Sequence, residues 1–128
     1  GNIDIEVSDT VYFDGVGFDG VGNVFSSAAF SDVEKGGIGK GGDITIKARS
    51  LKLTNDAQVN ASNFGQGNAG NITIGVRTLD LNGGYIFAQS ASGDGGNIQL
   101  RIDKRLTLRN GSEISTTAGT EQQPGDGG

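Results

Sequence analysis

Four amino-acid types are missing from this chain, and each absence removes a class of site. Its 128 residues include no cysteine, histidine, methionine or tryptophan. Without cysteine the chain forms no disulfide, and without cysteine or histidine it offers no thiolate or imidazole ligand to a metal ion. Nucleophile pairs of the Ser-His or Cys-His kind are excluded as well. We therefore expect no metal site, no cofactor and no catalytic residue of these kinds.

Proline, clustered positive charge and long apolar runs are scarce too. The one proline is Pro124, so strands can follow one another without interruption. The net charge is −5 with both signs interspersed, which argues against nucleic acid as a partner. Apolar runs are far shorter than the roughly 20 residues that span a bilayer, so we expect no membrane insertion. The opening GNIDIEVSDT does not resemble a signal peptide, which predicts an internal or processed piece if the chain is exported.

Glycine, by contrast, is abundant at 24 residues, and it recurs in a repeated phrase. The phrase is Gly-(Asn/Asp)-Ile, and it begins at Gly1, Gly42, Gly70 and Gly96. Each copy opens an alternating apolar run such as Ile44, Ile46 and Ala48. Alternation with a period of two residues indicates a strand with one buried and one solvated face. The Ile-to-Ile spacings are 41, 28 and 26 residues, and the two shorter ones match one coil of a repeat solenoid.

Two further strands are predicted in each copy. An apolar pair follows seven or eight residues after the first Ile, as in Leu51 and Leu53. A third stretch aligns without gaps in the last three copies, where it starts at Asn55, Asn82 and Asn110. Asn tolerates left-handed backbone and can bond the amide of the next coil, so these three residues suit a stacked corner.

Strands at this interval suit either hairpins in a sandwich or a parallel coil. The coil is favoured because the same residue types recur at the same place in each unit, so that Ile44, Ile72 and Ile98 should stack between rungs. The sequence therefore predicts an all-β parallel β-helix of about four coils, with three short strands per coil. The residues do not fix its handedness, and we expect a right-handed parallel β-helix from the usual chirality of parallel crossovers. We expect one domain over residues 1–128, with an irregular first coil (1–40) and regular coils over 41–69, 70–95 and 96–128.

The first coil contains an excursion between Asp14 and Lys40. It includes FDGVG twice in tandem and then NVFSSAAFSDVEKGGIGK. In one interpretation it is a Gly-rich corner in which Val24, Phe25, Ala29 and Phe30 pack locally. In the other, it is a loop that folds over the side of the solenoid and presents a contact surface.

The phrases GGDITIKARSLKLTNDAQVNASNFGQGNAGNITI and TVYFDGVG…SSAAFSDVEKGGIGKGGDI resemble the repeat region of filamentous-haemagglutinin-like exoproteins, especially those of cyanobacteria. The resemblance covers nearly the whole chain. It implies a right-handed parallel β-helix, two-partner secretion through an outer-membrane pore, and display or release at the cell surface. It brings no catalytic residues, and the recognition motifs of the family's secretion domain are not found in this sequence.

Three kinds of site bear most on the function of this chain. The glycine-rich Gly36–Asp43 does not match a tandem calcium-binding nonapeptide, and we interpret Asp94 and Asp126 as turn residues. Polysaccharide cleavage needs clustered carboxylates, whereas one outward position in successive coils reads Glu6, Lys47, Gly75, Arg101. The third kind is aromatic: Tyr85 and Phe87 flank inward Ile86, so both should point outward, where they could dock a sugar ring or a partner.

These observations predict a non-enzymatic, structural and adhesive segment of a secreted or cell-surface β-helical exoprotein. Its predicted partners are flanking coils of the parent chain, a second copy stacked end to end, and a surface glycan or matrix protein. The alternative is part of a carbohydrate-active β-helix enzyme whose site lies outside this segment.

Overall fold

The computed structural model describes residues 1–119 and 125–128, and within them the secondary structure is all β. No helix, and so none that could cross a membrane, occurs in these two ranges. The strands are β1 (Ile3–Glu6), β2 (Thr10–Asp14), β3 (Val16–Phe18), β4 (Val24–Ser26), β5 (Ala28–Phe30), β6 (Ile44–Lys47), β7 (Ser50–Thr54), β8 (Gln58–Asn60), β9 (Ile72–Asn82), β10 (Tyr85–Phe87), β11 (Ile98–Arg109) and β12 (Glu113–Ser115).

Parallel pairing organises these strands into four stacked rungs, which make a β-solenoid of about three turns. In one ladder β1, β6 and the first half of β9 follow one another, and in a second ladder β2, β7 and the second half of β9 do so. The strand β11 pairs with β9 along both halves. The prediction of a parallel coil is therefore confirmed, and the hairpin sandwich is wrong for these strands.

The third strand of each rung forms a separate parallel sheet, in the order β12–β10–β8–β5. Three strands per rung are found in the first two rungs, where β1, β2 and β5 precede β6, β7 and β8. In the third and fourth rungs the first two predicted strands merge into the single strands β9 and β11. The third strand of the first rung is identified by its register, since Ala29 of β5 pairs with Val59 of β8.

The excursion of the first coil contains an antiparallel hairpin, β3–β4, in register from Val16↔Ser26 to Phe18↔Val24. At its tip, the Asp19 carboxylate accepts the backbone N–H groups of Val21 and Asn23 at 2.9 and 2.8 Å. The hydrogen bond from the Asn23 side chain has the largest effect in holding the pKa of Asp19 below its usual value, and these two backbone hydrogen bonds add to it. They define a tight reversal of the chain.

Local packing of the excursion is wrong for three of the four residues for which it was expected. Val24, Phe25 and Phe30 are 56%, 60% and 47% exposed, and only Ala29 is buried. For Val24 and Phe25 the reason is geometric, because a two-stranded hairpin that leaves the solenoid has no second layer to cover it. Phe30 lies instead at an outward position of β5, next to Asn60 of β8.

The core lies inside the solenoid, and it is built from every second residue of each strand, because alternate side chains point inward. Side chains in the middle rungs are completely buried, including Ile46, Leu53, Ile74 and Leu81. Each apolar side chain of this size stabilises the fold by about 1.5–3 kcal/mol when fully buried. Because a rung has neighbours on both sides only in the middle of the stack, the burial depends on the stacking itself.

The repeated glycine has a steric cause. A Cβ atom placed on Gly42, Gly70 or Gly96 would lie closer than 3.0 Å to the carbonyl oxygen of the equivalent glycine one rung earlier, a distance that real Cβ atoms essentially never show. The chain therefore passes too close to the previous rung at this point for any side chain.

The residue after each of these glycines forms a hydrogen-bonded ladder. The Asn2 Oδ1 accepts the Asp43 N–H at 2.9 Å, Asp43 Oδ1 accepts the Asn71 N–H at 2.8 Å, and Asn71 Oδ1 accepts the Asn97 N–H at 3.0 Å. The bond from the Asn71 N–H is the largest of the effects that hold the pKa of the Asp43 carboxyl below its usual value. Position-specific Asn or Asp thus ties each rung to the next.

Candidate functional site

The predicted aromatic pair lies on the outer face of the parallel sheet β12–β10–β8–β5. Tyr85 is in register with Gln58 and Glu113, and Phe87 is in register with Asn60 and Ser115. The two rings stack on each other with centroids 5.5 Å apart and an angle of 20° between their planes. Both residues are half-buried, so the rings cover part of each other's surface.

A third aromatic residue extends this face. Phe30 of β5 and Phe87 of β10 are the register partners of Asn60 on either side. Asn60 is only 6% exposed although it belongs to the outward set, and its Oδ1 accepts the Ser62 N–H at 3.1 Å. Sequence reasoning missed this column because it did not locate the third strand of the first coil.

The residues predicted to stack lie in adjacent rungs. Ile44 pairs in register with Ile72, and Ile72 with Ile98. Ile44 and Ile72 are completely buried, whereas Ile98 in the last rung is partly exposed.

The corner asparagines also follow one another along the stack. The Asn55 N–H donates to the Asn82 carbonyl oxygen at 3.1 Å, and the Asn110 amide donates to Asn82 Oδ1. Asn55 and Asn110 have φ angles of 53° and 54°, while at the middle corner Gly83 takes the positive φ instead of Asn82. The Asn55 side chain also donates to Asp14 at 2.8 Å, and this bond and one from Thr54, which has the larger effect, lower the pKa of Asp14.

A groove of about 630 Å³ runs across the rungs at the outer corner between the first two ladders. Four basic side chains line it, namely Lys47, Arg49, Arg77 and Arg101, together with the single acidic side chain of Glu6. Lys47, Gly75 and Arg101 occupy one outward position in successive rungs. We name this feature the basic groove.

Few carboxylates neutralise the basic groove. Arg49 lies 3.9 Å from Asp9, and both of these side chains are largely exposed. Lys47, Arg77 and Arg101 form no ion pair with any residue in 1–119 or 125–128. Asp103 borders a smaller adjoining cavity of about 230 Å³ that shares Gly75, Arg77 and Arg101.

The sequence contained a signal for this groove. One outward position of successive coils was identified correctly, but it was searched only for carboxylates. Its residues are Glu6, Lys47, Gly75 and Arg101. Arg49 and Arg77 each follow the first Ile of their copy by five residues. The backbone places them one rung apart, since the Arg77 N–H donates to the Arg49 carbonyl oxygen at 2.9 Å.

The acidic residues do not gather in the part of the chain that is described. No group of three of them there is placed to hold a metal ion. Asp94 and Asp126 lie in stacked loops, where the Asp126 N–H donates to Asp94 Oδ1 at 3.0 Å. Burial, the largest effect, raises the pKa of the Asp32 carboxyl.

Comparison of the chain with protein-family models, with curated proteins and with solved structures found no match. The resemblance to filamentous-haemagglutinin-like exoproteins thus rests on the sequence phrases alone.

Proposed function

We propose that this chain is a structural and adhesive segment of a secreted or cell-surface β-solenoid exoprotein, in which further parallel rungs stack on its two ends. The observation that carries the proposal is the exposure of inward side chains in the last rung. Leu106 and Leu108 are 44% and 43% exposed, whereas their register partners Leu79 and Leu81 are 1% and 0% exposed. Within residues 1–119 and 125–128 no further strand pairs with the outer edge of β11 to cover them.

The opposite end has the same character. Ile3, Ile5, Val11 and Phe13 point inward from the first rung but are only partly buried. The strands β1 and β2 each pair with a neighbour on one side only, so their other edges present backbone N–H and C=O groups. An apolar face beside an open parallel edge is a template for another strand of the same kind.

The outer surface fits a role in contact with other molecules. Outward side chains recur at each rung, which gives a regular surface of charged and polar groups, and Tyr85 and Phe87 lie on one face of it. A lack of cysteine suits a chain that crosses an outer-membrane pore unfolded, which is the export route implied by the sequence resemblance. Together these features support display at the cell surface, with a glycan or matrix protein as partner.

End-to-end stacking is tested by sedimentation velocity and electron microscopy over a range of protein concentrations. We expect the chain to form short rods, and we expect the double variant Leu106→Lys/Leu108→Lys to stay monomeric because charged side chains would be buried at the junction. The control is Thr107→Lys/Arg109→Lys, which changes the outward positions of the same strand and should still form rods. A wild-type chain that stays monomeric at high concentration would contradict the proposal.

A further inference from the structure

The basic groove combines positive charges that form few ion pairs within the described part of the chain with a gap in its centre. Lys47 and Arg101 are register positions two rungs apart, which places their backbones about 9.6 Å from each other at the usual strand spacing. Between them lies Gly75, and beside it Arg77, which is exposed. The cations therefore surround a notch whose base has no side chain.

No steric contact in the part of the chain that is described requires glycine at position 75. A Cβ atom added there would meet no other atom within 4 Å, and the φ angle of Gly75 is not in the left-handed region. Glycine inside a strand loses backbone entropy on folding without contributing a side chain to the sheet. A strand glycine without a steric or conformational reason is typical of a place where a ligand approaches the backbone closely.

The acidic groups at the edges of the groove restrict the kind of anion that fits. Glu6 lines the groove in the first rung, Asp9 lies beside Arg49, and Asp103 borders the adjoining cavity. A nucleic acid carries a phosphate charge every few ångströms, so its neighbouring phosphates would meet these carboxylates. A uronate polymer also carries a carboxylate on its rings, but each ring adds hydroxyl groups that can turn toward these acidic side chains and donate hydrogen bonds to them, whereas a phosphodiester has no hydrogen to donate.

We propose that the basic groove binds an acidic polysaccharide, with one uronate carboxylate seated over Gly75 between Lys47 and Arg101 and beside Arg77. Arginine suits this role because its guanidinium can donate two parallel hydrogen bonds to a carboxylate. The polymer runs along the solenoid axis, since the groove crosses the rungs. This inference names the ligand class for the adhesive role and rests on the proposed function only for bringing such a polymer to the chain.

The decisive experiment measures binding of polygalacturonate by isothermal titration calorimetry at low salt. We expect binding that weakens as salt is added, with little binding to the fully methyl-esterified polymer, whose carboxylates are neutral. Arg101→Gln and Arg77→Gln should each weaken binding about tenfold, because each removes charge-assisted hydrogen bonds. Lys52→Gln removes the same charge from the outer face of β7, away from the groove, and should leave the affinity unchanged.

Gly75→Val separates ligand binding from folding. Its side chain fills the notch, so we expect it to abolish binding of polygalacturonate while the melting temperature stays the same or rises. The inference is overturned if wild-type chain does not bind polygalacturonate, if Gly75→Val binds it as well as wild type does, or if single-stranded DNA binds as tightly. These outcomes are independent of rod formation, because the groove lies on the side of the solenoid and the stacking surfaces lie at its ends.

Discussion

Two glycine-to-alanine substitutions of identical chemistry should have opposite effects on stability. At Gly70 the new Cβ would lie closer than 3.0 Å to the carbonyl oxygen of Gly42, so the second and third rungs must separate locally. Separation strains the ladder beside it, where the Ile44 N–H donates to the Asn71 carbonyl oxygen and the Asn71 N–H donates to Asp43, both at 2.8 Å. At Gly75 the new Cβ points into open space.

The magnitudes follow from these contacts. Overpacking costs about 1–3 kcal/mol and each weakened hydrogen bond about 1 kcal/mol, so Gly70→Ala should lower the free energy of unfolding by about 3–5 kcal/mol. For a chain of this length that corresponds to a melting temperature lower by roughly 10–20 °C. Gly75→Ala should raise the free energy of unfolding by about 0.5–1 kcal/mol, because alanine loses less backbone entropy in a strand.

Urea denaturation followed by circular dichroism measures both differences, with thermal melts as a second observable. Gly75→Ala is the matched control, since it adds the same methyl group to the same rung, five residues away. The steric reasoning would be refuted if Gly70→Ala unfolded within 0.5 kcal/mol of wild type, or if the two variants were destabilised equally.

Three further predictions concern side chains inside the stack. Asp43→Asn keeps an acceptor for the Asn71 N–H but removes the carboxyl group that titrates. Because the pKa of Asp43 is lowered from 3.8, the contribution of this carboxylate to stability is present above pH 3.8 and is lost as the pH falls through its folded pKa. The variant should therefore lose less stability than wild type between about pH 5 and pH 3 in urea titrations. An unchanged pH dependence would contradict this. Asn63→Ala should lower the free energy of unfolding by about 2–4 kcal/mol in chemical denaturation. Asn63 is fully buried, donates to the Gly39 and Asn68 carbonyl oxygens at 2.6 and 3.1 Å, and accepts the Gly65 N–H at 2.9 Å. A loss below about 0.5 kcal/mol would show that water replaces these bonds. Leu53→Ala should lower the free energy of unfolding by about 2–5 kcal/mol, and Leu108→Ala should lower it by less than half as much, since Leu53 is 0% and Leu108 43% exposed. Equal losses would contradict the picture of an open end.

Much of the fold could be predicted because the solenoid repeats its constraints. The same close approach recurs at Gly42, Gly70 and Gly96, and the same hydrogen bond between rungs recurs at the residue that follows each of them. A constraint that recurs in every rung becomes visible in a single sequence. Inward positions such as Ile44 and Leu51 were readable for the same reason, because the period of two residues continues along each strand.

The first coil was less predictable because its features occur once. The hairpin β3–β4 depends on the single turn that Asp19 closes, and β5 is separated from β2 by that insertion, so Ala29 did not align with Val59 by counting alone. The merging of two strands into β9 was also hidden, since it depends on the backbone at the corner near Arg77 rather than on the alternation of side chains.

The basic groove shows a different limit of sequence reasoning. Its residues come from all four rungs and from two outward positions, so they become neighbours only when the register is known. A search for carboxylate pairs passed over them because the chemistry sought was cleavage. The informative residue is Gly75, whose meaning depends on the empty space around it, and sequence alone does not show that space.

The central claim, that equivalent residues of successive coils lie beside one another in parallel register, can be tested by cross-linking in this cysteine-free chain. Thr45 and Thr73 are register partners on adjacent rungs, whereas Thr45 and Gln99 are two rungs apart. Disulfides need Cα atoms about 4.4–6.8 Å apart, so Thr45→Cys/Thr73→Cys should oxidise to an intramolecular disulfide detected by mass spectrometry, and Thr45→Cys/Gln99→Cys should not. A chain in which the second pair closes and the first does not would contradict the parallel stack.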